Sequence, residues 1–168
     1  MCKLNLNILN IVLIGMPGSG KSTVGLELAE LSGLNLIDTD EEIIKTSGLS
    51  IPEIFNNFGE KYFRGLEHEV IKNLSGRTGC IIVTGGGVVK DFNNYKYLKL
   101  NSKIYHIERD VNLLAREGRP LSLNADMNKL YQERADLYKR FRDTIIYNDS
   151  TPLQAAQKIL EDFNNLRS

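Results

Sequence analysis

Residues 8–23 read Ile8-Leu9-Asn10-Ile11-Val12-Leu13-Ile14-Gly15-Met16-Pro17-Gly18-Ser19-Gly20-Lys21-Ser22-Thr23, and the rest of the chain is read outward from them. The first seven are an apolar run, far short of the ~20 residues that span a bilayer. Lys3 in front of it would suit a leader peptide, but cleavage would remove the glycine-rich turn that follows, so a buried strand is the better reading. The turn matches G-x-x-x-x-G-K-[ST]. Its glycines let successive backbone N–H groups face phosphate oxygens without an obstructing Cβ, and the helix that opens at Lys21 adds the positive end of its dipole. Lys21 reaches the β- and γ-phosphates and the Ser22 hydroxyl is suited to Mg²⁺. Gly18, Ser19, Gly20, Lys21, Ser22 and Thr23 are therefore the expected loop for the phosphates of a nucleoside triphosphate.

Beyond this turn, short apolar runs alternate with helical patterns. Strands are expected at Ile8–Ile14, Leu34–Ile37, Cys80–Thr84, Lys103–Ile107 and Thr144–Tyr147, all continuous apolar runs of the kind covered on both faces. Between them, Val24, Leu28 and Leu31 share one helix face, as do Leu66, Val70, Ile71 and Leu74, and then Leu153, Ala156, Ile159, Leu160 and Phe163. This alternation predicts an α/β fold: a parallel sheet of five strands with helices on both sides and ligands at the carboxyl ends of the strands. A length of 168 residues suits one domain over the whole chain, and 42% hydrophobic with 25% charged residues excludes disorder. Lys+Arg 21 balance Asp+Glu 21, which gives no global reason to expect nucleic acid or membrane as a partner and is compatible with a monomer. Two cysteines cannot build a disulfide scaffold, and a cytoplasmic location is expected.

The guanine-reading Asn-Lys-x-Asp is missing, since Asn128-Lys129 continues as Leu130-Tyr131. The run Ile81-Ile82-Val83-Thr84 ends in Gly85-Gly86-Gly87 where many nucleotide-binding strands end in Asp. Acid is offered instead by Asp38-Thr39-Asp40, one carboxylate for a metal-bound water and one for a hydroxyl, although a pair of capping aspartates reads the same way. Arg64 and Glu67 stand one turn apart, as an i,i+3 surface ion pair would. Glu117–Asn124 combines turn formers and reads as a mobile loop. Around it, Arg109–Arg142 holds eight basic against five acidic residues, a local excess of three. His68 and His106 are lone histidines, Cys80 a core residue, and Tyr131 and Tyr138 a packing pair at i,i+7.

In order along the chain, Gly15–Thr23, Asp38-x-Asp40, Phe63-Arg64-x-x-Glu67, Thr84-Gly85-Gly86-Gly87, Arg119-Pro120-Leu121 and Glu133-Arg134-x-x-Leu137-Tyr138 resemble the shikimate kinase family over essentially the whole chain. The resemblance implies a P-loop, nucleoside-monophosphate-kinase-like three-layer fold with a mobile lid at about 115–125. It implies transfer of phosphate from ATP to the 3-hydroxyl of shikimate, a step toward chorismate and the aromatic amino acids. Carried over by motif, Asp40 binds the ring hydroxyls, Arg64 and Arg134 hold the carboxylate, and Gly86 meets substrate through its backbone. Glu67 braces the arginines, with Gly85 and Gly87 allowing close approach. Lys21, Asp40 and Arg119 are the expected catalytic residues, Arg119 closing over ATP from the lid with Arg116 as a second lid arginine. One Mg²⁺ is expected on Ser22 directly and on Asp38 through its outer shell. The loop between Leu113 and Asn124 is short for the family. The adenine-side loop falls at Asn148-Asp149-Ser150-Thr151-Pro152, with no contact residue assigned. A kinase for gluconate is the competing enzyme, and Phe63-Arg64-x-x-Glu67 with Glu133-Arg134 argues against it.

Overall fold

The structure, a computed structural model, describes residues 9–114 and 126–166. Five strands alternate with six helices: β1 (Asn10–Ile14), α1 (Lys21–Ser32), β2 (Asn35–Asp38), α2 (Thr39–Ser47), α3 (Ile51–Leu74), β3 (Cys80–Val83), α4 (Phe92–Lys99), β4 (Ser102–Glu108), α5 (Met127–Phe141), β5 (Thr144–Tyr147) and α6 (Pro152–Asn165). The strands form one sheet in the order β2-β3-β1-β4-β5, and every neighbouring pair is parallel. Parallel neighbours require crossovers, and the helices supply them on both faces.

Each residue of β1 and β3 is buried, as their unbroken apolar runs require. Because successive side chains point to opposite faces, β1 divides itself between two cores. Val12 and Ile14 join Ile82 and Ile104 under α3, α4 and α5, while Ile11 and Leu13 join Ile81, Val83, Tyr105 and Ile107 under α1 and α6. Val24, Leu28, Ala156, Ile159 and Phe163 complete the second core. Leu31 and Leu153, placed on the same apolar faces by their spacing, are instead 42% and 41% exposed. Both sit in a terminal turn of their helix, where the periodicity continues but the covering layer does not.

Two local features aim the site. Ser50 and Glu53 form a reciprocal capping box at the start of α3, and Gly59 then adopts φ 78° and ψ 175°, so the helix kinks there. The chain after the kink carries Phe63 and Glu67 into the interior and sets Arg64 beside them. The chain also runs from β1 to β2 on one side and places β4 on the other, so the strand order reverses beside the carboxyl end of β1, where such folds take their ligands. The expected lid at 115–125 lies outside the described residues. Among the described residues, no helix is long and apolar enough to cross a membrane.

Candidate active site

The carbonyls of the loop after β1 find donors both within the loop, where Ser19 N–H donates to Met16 O at 3.2 Å, and beyond it, as a buried turn must. Gly20, in the left-handed region at φ 92°, caps α1. The Lys21 side chain is only 2% exposed, and its Nζ donates to Gly15 O and Met16 O, each at 2.9 Å. Ser19 O is satisfied from 129 residues away by Asn148 Nδ2 at 2.9 Å. Asn148 is itself buried, and its N–H donates to Glu108 O at 2.8 Å, holding the segment after β5 to the end of β4. The sequence places Asn148 in the segment 148–152 without assigning it a contact; its bond to the loop after β1 emerges only from the fold. Gly18 and Ser19 are buried, while Ser22 and Thr23 are exposed at the opening of α1.

Asp38 ends β2 and caps α2, its Oδ1 accepting the Asp40 N–H at 2.8 Å. The capping reading of this pair holds for Asp38: the cap fixes the first turn of α2, and that turn carries Asp40. Thr39, fully buried, accepts the Gly85 N–H at 3.3 Å, and Thr84 Oγ1 donates to Leu13 O at 3.0 Å. These bonds dock the Gly85–Gly87 loop between β1 and α2. A Cβ on Gly85 would stand 3.0 Å from Asp40 Oδ1 and 3.2 Å from Glu67 Oε1, so the two carboxylates flank this glycine. Glu67 is 0% exposed, not a surface residue. Burial pushes its pKa up to about 7, against the pull of the Arg64 guanidinium; Asp40 adds to the rise.

Two arginines converge on the same loop. Arg64 donates from Nη1 to Glu67 Oε2 at 2.8 Å and from Nε and Nη2 to Glu60 Oε1 at 3.2 and 3.1 Å. Lys90 shares that Glu60 oxygen at 2.5 Å. Burial opposes the Arg64 charge, but Glu67 and Glu60 outweigh it and raise its pKa. Its guanidinium lies over Gly87, where a Cβ would come within 2.6 Å of Cζ. From α5, Arg134 Nη1 donates to Gly86 O at 3.1 Å. Gly86 in turn touches the phosphate loop, a Cβ there meeting Pro17 Cδ at 2.6 Å. The structure thus gathers Lys21, Asp38, Asp40, Arg64, Glu67, Gly85, Gly86, Gly87 and Arg134 at one end of the sheet. Arg116 and Arg119 lie outside the described residues.

The remaining candidates fall where packing explains them. His106 is buried in β4 with its ring stacked on Tyr138 at 4.7 Å; burial first, then the charges of Arg142 and Lys21, push its pKa down to about 3. His68 meets Asn94 Oδ1 of α4 at 2.9 Å, and Cys80 is a buried free thiol.

The chain has known counterparts. The family model described as shikimate kinase matches residues 17–164. The shikimate kinase of Thermodesulfovibrio yellowstonii is 36% identical over 166 residues, covering 94% of this chain and 96% of its own. That of Caldicellulosiruptor saccharolyticus is 41% identical over 160 residues, covering 90% and 93%. In three dimensions, the shikimate kinase from Acinetobacter baumannii in complex with shikimate superposes with a TM-score of 0.87 at 32% identity, over 94% of each chain. A phosphate loop, an acidic pair and two arginines meeting on a glycine turn are thus accompanied by similarity along nearly the full length, and the chain belongs to the shikimate kinase family.

Proposed function

We propose that this chain transfers the γ-phosphoryl group of ATP to the 3-hydroxyl of shikimate, with the residues of this site in the following roles. The observation that carries the assignment is the convergence of Arg64 and Arg134 on the adjacent glycines 87 and 86, next to Pro17 of the phosphate loop. A planar carboxylate suits two guanidinium groups, which offer paired N–H donors from rigid planes. Bound there, the ring extends its hydroxyls toward Asp40, which stands beside Gly85 at the carboxyl end of β2. Asp40 orients the 3-hydroxyl and accepts its proton, since phosphoryl transfer asks mainly for positioning and charge stabilisation.

The amides of Gly18–Lys21 cradle the phosphates, and the Lys21 ammonium moves from two loop carbonyls to phosphate oxygens. Arg119 is assigned to the γ-phosphate, where an arginine is worth roughly 10³–10⁵ in rate, with Arg116 supporting it. Among the described residues, no group of three or more His, Cys, Asp or Glu side chains gathers as a metal cage. That suits a cation carried in by the triphosphate: Mg²⁺ would be held by the exposed Ser22 hydroxyl and, through water, by Asp38. When bound it screens the phosphate charge that the attacking oxygen must approach. We read the enzyme as a cytoplasmic monomer whose partners are its two substrates.

A coupled ADP-release assay with shikimate and with gluconate tests the reaction. Turnover is expected with shikimate alone, and turnover with gluconate alone would overturn the assignment. Arg134→Ala should raise the shikimate Kd by calorimetry at least ~10-fold, the order expected for a charge-assisted pair, while sparing ATP. The reverse pattern would reject the carboxylate clamp.

A further inference from the structure

Each carbonyl of the Gly85–Gly87 loop has a donor, and the middle one has two. Val88 N–H donates to Gly85 O at 3.2 Å and Lys90 N–H to Gly87 O at 3.0 Å. Gly86 O accepts from Arg134 Nη1 at 3.1 Å and from Tyr138 Oη at 2.5 Å. Tyr138 is 0% exposed, so its hydroxyl has to find an acceptor inside the protein. The ring itself is held: it stacks at 4.7 Å and 20° on His106, which pairs in the sheet with Ile14, the residue directly before the phosphate loop.

This second donor matters because of what Arg134 has to do. Any turn of its guanidinium that aims the Nη1 N–H at a substrate carboxylate would take that donor from Gly86 O, and a buried carbonyl without a donor is costly. Tyr138 keeps that carbonyl satisfied throughout. It also fixes a direction. The C=O and N–H of one trans peptide point opposite ways, so drawing Gly86 O onto α5 turns the Gly87 N–H away from α5, on a residue whose Cα lies beneath Arg64.

We propose that Tyr138 is a positioning residue for the substrate carboxylate, its hydroxyl holding the Gly86 carbonyl and thereby setting both Arg134 and the Gly86–Gly87 peptide. The proposal rests on the shikimate reading above. Its test is Tyr138→Phe, which removes one oxygen and keeps the ring, measured by calorimetry and steady-state kinetics with shikimate and with its methyl ester. Loss of one buried hydrogen bond predicts a shikimate Kd and KM raised about 3–10-fold, with KM for ATP and saturated kcat within about twofold of wild type. The ester, which lacks the charge, should lose much less. A lowered Tm with unchanged shikimate binding, or equal losses for acid and ester, would make Tyr138 a packing residue and overturn the proposal. Should Tyr138→Phe fail to fold, His106→Leu removes the stack but keeps the hydroxyl; a smaller, acid-selective loss is expected, and unchanged acid binding counts against the idea. Wild-type protein that binds no shikimate would remove the substrate reading itself, a result visible before any variant is made.

Discussion

Lys21 and Glu67 are both ionisable and both buried, and both do more than their motif requires. The Lys21 ammonium bonds two carbonyls of its own loop, so it organises the turn, beside the role at the phosphates proposed for it. Lys21→Ala should therefore lower kcat by at least ~10²-fold, the order seen on removing a preorganised charge stabiliser. It should also lower Tm, because two carbonyls lose donors worth about 1 kcal/mol each. Assay and thermal melt on the same sample check both, and an unchanged Tm would show that the loop holds its shape alone. Glu67 makes a claim about pH. Its ordinary pKa is 4.5 and its folded value about 7, so between these values the folded state binds more protons than the unfolded. Stability is then lost as pH rises through that window. Gln at 67 does not titrate, so the Tm of Glu67→Gln minus that of wild type should grow from pH 4.5 to 7 and level off above. A difference independent of pH would mean that Glu67 ionises normally. Using the difference matters, because His106, with its pKa depressed to about 3, costs stability as pH falls below 6.5 and would mask the trend in wild type alone.

Among the elements, α3 separates stability from function most cleanly. Its first turn is secured by the Ser50–Glu53 capping box, and its direction changes at Gly59. Ser50→Ala should cost about 1 kcal/mol and leave kinetics alone, since the cap lies before the kink. At Gly59 nothing stands within 4 Å of a would-be Cβ, so Gly59→Ala meets only the penalty of a positive-φ extended backbone essentially confined to glycine, ~1–3 kcal/mol, about 2–12 °C in Tm for a chain of this size. This variant should also raise the shikimate KM, because the segment after the kink carries Arg64 and Glu67. If both variants lose stability and neither changes KM, the kink does not aim the arginine. Leu31 and Leu153 teach the complementary lesson: periodicity assigned both to apolar faces, yet both are exposed, since spacing describes a helix and not the extent of what covers it.

At the scale of the whole molecule, the loop after the first strand is held from the far end of the chain. Asn148, after the last strand, reaches Ser19 after the first. Asn148→Ala should weaken ATP binding by about 3–10-fold, one buried hydrogen bond, and leave shikimate binding unchanged; calorimetry with each ligand decides, and a loss confined to shikimate would refute it. Much of the site could be read directly. The phosphate loop, the Asp38-x-Asp40 pair and the glycine turn are local, because each needs particular residue types at fixed spacing beside a strand end. The five parallel strands were also readable, since strands buried on both faces must be apolar throughout. Asn148, Tyr138 and the burial of Glu67 were not readable. An Asn, a Tyr and an i,i+3 ion pair acquire their meaning from partners 129, 52 and 18 residues away: Ser19, Gly86 and Gly85. Sequence alone therefore determined which chemistry the chain carries, because that depends on residue type and local turn geometry. Only the tertiary structure decided which buried donors hold that chemistry in register, because those bonds exist once the sheet has brought distant strand ends together.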